Sequence, residues 1–254
     1  MRVKFIANAL LGLTLVNAKL IMIIRHGEKI NDDYTYLSPE GEARAECLIN
    51  TFGPDGIYAT PQIIYAQKPT KQRQSTRPLD TVTPLAKSLG LEVDLTYTSG
   101  KYKDLAKYIK KSPEEVILVS WANDRIPNIA KELGIKKVPD WKGKEFDNVW
   151  VITDGTTPYL RDATIDVDVK KTYKGKKDFT MEVVDENVEY CMAQTIGKYS
   201  STSITKKNVD NNESINNESV ISNQDEEVDS SSEIVKVSTM AFTVLLSLIF
   251  YLLN

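Results

Sequence analysis

Residues 19–29 read KLIMIIRHGEK, and the fold turns on that stretch. Leu20 to Ile24 is apolar without a break and partly β-branched. A run of this length predicts a strand covered on both faces, as in a parallel sheet, and not one with a wet side. It leads directly into Arg25, His26, Gly27 and Glu28. A cation, an imidazole, a glycine and a carboxylate therefore stand at the carboxyl end of a central strand, where open parallel sheets bind ligands. His26 is the only histidine in the chain.

The elements that follow alternate. Leu37-Ser38-Pro39-Glu40-Gly41-Glu42 predicts a helix start, with Ser38 as cap, Pro39 in the first turn and acids near the positive end of the dipole. That helix should run to about Thr51 and stop before Gly53-Pro54. Gln62 to Ala66 predicts a second strand, and residues 67–76 a polar loop. Pro78 begins a helix closed by Gly90, and Leu91 to Leu95 alternates as a third strand. A basic-faced helix over Lys101 to Lys111 leads to a fourth buried strand over Glu115 to Ser120. A helix capped by Asp124 and ending at Gly134 precedes a fifth strand, Val149 to Thr153. Residues 164–184 hold two β-like runs, read as a hairpin across Lys174-Gly175-Lys176, and Glu186 to Lys198 as a closing helix. Strand alternating with helix predicts a mostly parallel α/β sheet with helices on both faces.

Both ends differ from this pattern. Residues 1–18, MRVKFIANALLGLTLVNA, have two early cations, an apolar stretch and Val16-Asn17-Ala18. That is the form of a signal peptide cleaved after Ala18; the alternative is a first core element. From about 200 to 232 the chain is rich in Ser, Asn and acids, holds no aromatic residue, and is expected to be a disordered stalk. Asn212-Glu213-Ser214 and Asn217-Glu218-Ser219 are acceptor sequences for N-glycans. Ser230 to Ser232, a spacer and the apolar run from Met240 to Leu253 have the form of a GPI attachment signal, the rival being a short membrane anchor. Either places the protein at the outer face of a membrane.

The formal charge of −3 hides an uneven distribution. Setting aside the eight acids of residues 208–233 and the cations Arg2, Lys4 and Lys236 leaves the rest of the chain at +2. That bias is too small to indicate nucleic acid. Cys47 and Cys191 are the only cysteines; in a secreted chain they can pair, and otherwise they are buried thiols. No Cys/His cluster is present to bind a metal, and no cofactor is called for.

A histidine beside an arginine at a strand end suits phosphoryl chemistry. Neutral imidazole is nucleophilic near pH 7, and arginine offers a fixed fork of donors to phosphate oxygens. Arg77-Pro78-Leu79-Asp80-Thr81 supplies a second arginine at a helix start, where free backbone N–H groups favour an anion.

Taken together these features resemble the histidine phosphatase superfamily, whose fold is that of phosphoglycerate mutase. Arg25-His26-Gly27-Glu28 resembles its signature, and Leu37-Ser38-Pro39-Glu40-Gly41 the motif opening its first helix. Ile64-Tyr65-Ala66 followed by Arg77 and Thr81 is similar to its second phosphate-binding segment. Ile117 to Asn123, Asp140 to Trp150 and the RPLDTVTPLA run resemble its secreted fungal branch. The resemblance spans about residues 20–155 and implies a three-layer α/β sandwich with a mostly parallel sheet. It implies His26 as the phosphoryl acceptor, Arg25 and Arg77 as phosphate ligands, and a small phosphorylated substrate. Glu28 would orient His26 or its loop; read from the residues alone, it is a loop-supporting carboxylate. Arg73 is an alternative to Arg77 or a surface charge. The family's second histidine falls at Asn123, or at Trp121 in the shorter register, and is absent. Asparagine can donate to a phosphate oxygen but carries no charge, and losing one charged transition-state donor costs about 10²–10³ in rate. Asp94 and Asp104 stand where a general acid would, though each reads first as a surface acid. Two functions stay open: a surface phosphatase, or a catalytically impaired relative that binds phosphorylated ligands or serves as a wall protein.

Overall fold

The chain is seen here in a computed structural model that describes residues 19–177 and 179–196. All of these fall in a compact unit, Met1–Lys207; a second unit, Asn208–Asn254, lies outside the described residues, as do the expected leader, stalk and anchor.

Strand β1 (Leu20–Arg25) is buried along its whole length. It lies fourth in a seven-stranded sheet of order β3-β2-β4-β1-β5-β7-β6. The other strands are β2 (Ile63–Ala66), β3 (Val93–Asp94), β4 (Val116–Trp121), β5 (Asn148–Thr153), β6 (Lys171–Lys174) and β7 (Thr180–Asp185). The period of two along β1 explains its unbroken apolar run. Ile21 and Ile23 join a core with Leu105 and Ile109 of α3 (Tyr102–Ile109) and Ile129 and Leu133 of α4 (Ile126–Leu133). Leu20, Met22 and Ile24 join a second core with Leu48 and Phe52 of α1 (Pro39–Phe52) and Val82 and Leu85 of α2 (Arg77–Leu89). Each such side chain contributes about 1.5–3 kcal/mol on burial, and both faces of the sheet are filled.

Local signals set the helix ends as expected. Gly41 N–H donates to Ser38 Oγ at 3.2 Å, Pro39 opens α1, and Gly90 closes α2 in the left-handed region at φ 66°. Gly41 also lies hard against the chain: a Cβ there would meet Glu28 O at 2.5 Å and Glu28 N at 2.9 Å. The turn after β1 therefore seats directly on the first turn of α1.

The sheet is mixed, and less parallel than the element order predicts. β1, β4, β2 and β3 are mutually parallel, but β5 pairs antiparallel to β1, and β7 and β6 continue antiparallel. The reason is the connection from Gly134 to Asn148. It runs back toward the carboxyl end of β1, anchored where Trp141 packs on Trp150 with centroids 4.9 Å apart. Asn148 therefore starts β5 beside the end of β1, with Val149 opposite Ile24. The hairpin forms as β6–β7. Helix α4 begins at Ile126 without a side-chain cap, because Asp124 pairs instead with Arg73 and Arg125. A last helix, α5, covers residues 189–196, and Cys191 on it is joined by a disulfide to Cys47 on α1. Among the described residues no helix is long and apolar enough to cross a membrane.

Candidate functional site

Adjacent parallel strands β1 and β4 send their chains apart. After β1 the chain turns to α1 on one face; after β4 it turns to α4 on the other. This divergence is a topological switch point, and it opens a crevice at the carboxyl ends of the strands. The first residue past β1 is His26, past β2 Gln67, and past β4 Ala122. All three line one cleft of about 260 Å³, together with Arg77, Pro78, Arg73, Tyr34 and Asp32.

His26 is buried, and its Nδ1 lies 2.7 Å from Gly27 O. A carbonyl only accepts, so the proton sits on Nδ1 and the lone pair on Nε2. Nε2 has no hydrogen-bond partner among the described residues. Burial pulls the imidazole pKa down to about 4, opposed by the Gly27 carbonyl and reinforced by the charges of Arg25, Arg77 and Lys29. The ring is thus a neutral base and nucleophile at physiological pH.

Arg77 reaches the same cleft from the first turn of α2. Its Nε donates to Ser75 Oγ at 3.0 Å and its Nη1 to Tyr34 O at 3.2 Å, which leaves Nη2 uncommitted among the described residues. Burial lowers its pKa and Asp32 opposes that. Helix and histidine loop are tied together: Gly27 N–H donates to Thr81 Oγ1 at 2.8 Å, and that hydroxyl donates to Arg77 O at 2.7 Å.

Arg25 is close enough for its charge to act on His26, but it does not line the cleft. Its Nη1 donates to Gly143 O at 2.8 Å and Glu145 O at 3.1 Å, and its guanidinium stacks 3.8 Å from the centre of the Phe146 ring. Its Nε is buried without a partner. Burial brings its pKa down to about 10, with Glu28 opposing.

Glu28 faces away from the cleft into an ion cluster. Arg44 donates to it from Nε at 3.1 and 3.0 Å and from Nη2 at 2.6 Å. The same guanidinium holds Glu186 at 2.6 Å and Asp147 at 2.7 Å. Burial works against the Arg44 charge, but Glu186 and Glu28 outweigh it and raise the pKa. Asn123 donates from Nδ2 to Trp141 O at 3.5 Å, so Ala122, and not Asn123, forms the cleft wall there. Arg73 lines the cleft and is paired with Asp124 at 3.1 Å. Asp94 accepts from Thr96 N and Asp104 pairs with Lys101, both outside the cleft.

Sequence reasoning did not single out Gln67, Ala122, Tyr34 or Arg44. Position was the available signal for the first two, since they follow strand ends as His26 does. No local signal marks Arg44.

The fold and cleft thus define an α/β chain with a neutral imidazole and cationic side chains gathered at the carboxyl ends of its parallel strands. No protein-family model matches the chain, and no curated protein matches it either.

Proposed function

We propose that this chain is a histidine-phosphatase-like protein with the phosphoglycerate mutase-like three-layer architecture, which binds phosphate monoesters at His26. The observation that carries this reading is the His26 ring itself. Its Nδ1–H is committed to Gly27 O, and it shares a cleft with Arg77. In this reading Nε2 attacks phosphorus and the ester oxygen leaves with a proton from water or an acid. Water then attacks the phosphohistidine, releasing inorganic phosphate and restoring the neutral ring. The Arg77 guanidinium holds the phosphoryl oxygens. Arg25, whose Nη1 is held by the Gly143 and Glu145 carbonyls and which does not line the cleft, stands outside this set.

A specific observation favours a second reading, a ligand-binding relative with impaired catalysis. The wall that would carry a second imidazole is Ala122 followed by Asn123. The full chain assayed with an aryl phosphate from pH 4 to 8 separates the two. Turnover abolished by His26→Ala supports the enzyme. No native turnover, but a gain with Ala122→His, which puts an imidazole in the cleft wall, supports the impaired relative. Phosphate affinity unchanged by Arg77→Ala would remove both.

We also propose that the chain is secreted and held by a GPI anchor at the outer face of the membrane. The Cys47–Cys191 disulfide, a bond of oxidising compartments, supports this. Release from membranes by a phosphatidylinositol-specific lipase tests it; retention would indicate a spanning tail.

A further inference from the structure

We propose that a lysine-lined groove beside β6, separate from the His26 cleft, binds an acidic polysaccharide. The groove has a volume of about 500 Å³ and is lined by Lys142, Lys144, Lys170, Lys171 and Tyr173. None of these residues lines the His26 cleft, so the proposal stands independently of the phosphatase reading.

The charges that line the groove do not cancel. Asp147 is taken by Arg44, and Glu145 by Lys142 and Asn148. Lys170 is taken by Asp185 and Asn148. Lys144 and Lys171 have no carboxylate partner among the described residues, and Asp140 is the remaining acid of the lining. The excess continues along the strand. Lys176 N–H donates to Gly134 O and Lys136 N–H to Lys174 O, which brings Lys136 and Lys137 beside the β6–β7 turn that carries Lys176 and Lys177. These four are exposed and likewise lack a carboxylate partner among the described residues. The result is a cationic strip on the order of 15–20 Å long at the strand rise.

The chemistry selects among polyanions. Lysines are point charges on long stems; they suit single charges spaced along a chain better than the forked recognition of one phosphate. The half-buried ring of Tyr173 lines the groove with Lys171 Nζ 5.6 Å from its centre, which sets an apolar surface for a sugar beside a cation. The other aromatic residue of the lining, Trp150, is buried, so the groove shows one accessible ring, whereas single-stranded nucleic acid binding rests on successive stacking aromatics. Lysines on an edge strand discourage a peptide from adding as a further strand. A concave groove is also a poor fit to a flat bilayer.

The test is titration of the full chain with heparin, a sulfated polysaccharide, at 50 and 200 mM salt. The native chain should bind, and less tightly at the higher salt. Lys144→Glu/Lys171→Glu should weaken binding by roughly tenfold or more, the loss expected for two exposed ion pairs made repulsive. Arg77→Ala and Lys87→Glu should leave it within about twofold. Unchanged thermal midpoints would show that the variants are folded. The proposal is overturned if heparin does not bind at 50 mM salt, or if Lys87→Glu weakens it as much as the double change. It is also overturned if polyglutamate, polyuridylate or anionic vesicles bind as tightly as heparin.

Discussion

Gly27 N–H donates to Thr81 Oγ1 at 2.8 Å, which fastens the loop after β1 to the second turn of α2. The same hydroxyl donates to Arg77 O at 2.7 Å. One fully buried hydroxyl therefore sets the spacing between the imidazole and the guanidinium, although 54 residues separate Gly27 from Thr81. Thr81→Val keeps the shape and removes the acceptor, leaving a buried N–H unsatisfied. It should cost about 1–3 kcal/mol in urea unfolding and weaken phosphate binding. Thr81→Ser should restore most of both. A Val variant with native phosphate affinity would show that the tie serves stability alone.

His26 can be followed directly, because the ring resonances of the chain come from this one histidine. Its pKa is lowered to about 4 when folded, from the ordinary 6.5. Between those values the unfolded chain binds the extra proton. Stability should therefore fall as pH drops from 6.5 to about 4 and change no further from this source below it. The full effect is about 3 kcal/mol at 1.36 kcal/mol per unit. The ring titration measured by NMR should have its midpoint near 4, and saturating inorganic phosphate should raise it. Arg77→Ala should also raise it, since the Arg77 charge is one of those holding it down. A free-chain midpoint at 6.5 would mean that the ring is solvated and the cleft is not formed as described.

Much of this architecture can be read locally. An unbroken apolar run announces β1, and Ser38, Pro39 and Pro78 announce helix starts because caps and proline act through neighbours in the chain. His26 and Arg77 were legible for the same reason, each standing at an element end. The direction of β5 was not, because a tryptophan pair far along the 134–148 connection decides it. Nor was the place of Arg25. Alternation along β1 puts it on the face opposite His26, yet only the Gly143 and Glu145 carbonyls and the Phe146 ring show what holds it there. The partners of Glu28 were hidden as well: the arginine that binds it also gathers carboxylates from positions 147 and 186.

That cluster has a consequence for the role of Glu28. Arg44→Met leaves Glu28 and the fully buried Glu186 without their cation, and should cost about 3–5 kcal/mol. Burial already pushes the Glu186 carboxyl up, and removing Arg44 removes the main force opposing that. A carboxyl whose folded pKa is raised contributes stability below its unfolded pKa and loses it as pH rises. Relative to the native chain, Arg44→Met should therefore cost least near pH 4 and progressively more toward pH 8. Glu28→Gln should lower the unfolding midpoint while changing phosphate affinity less than Arg77→Ala does. The reverse order would place Glu28 in the binding site.

The Cys47–Cys191 disulfide joins α5 to α1 across 144 residues of sequence. Cys47 is fully buried beside Leu48 and Phe52 of the core that also holds Val188 and Met192. Closing so long a loop restricts the unfolded chain, and in the chain-entropy picture is worth up to about 5 kcal/mol. Cys47→Ala/Cys191→Ala should therefore lower global stability by about 2–5 kcal/mol in urea. The cleft is built from the carboxyl ends of β1, β2 and β4 and from α2, none of which carries a cysteine. Phosphate affinity of the folded double variant should stay within about twofold of native. Amide exchange decides how the loss is distributed. Faster exchange along β1 as well as residues 189–196 is expected if the bond acts through the unfolded state. Faster exchange confined to residues 189–196, with an unchanged urea midpoint, would mean that it only pins the last helix.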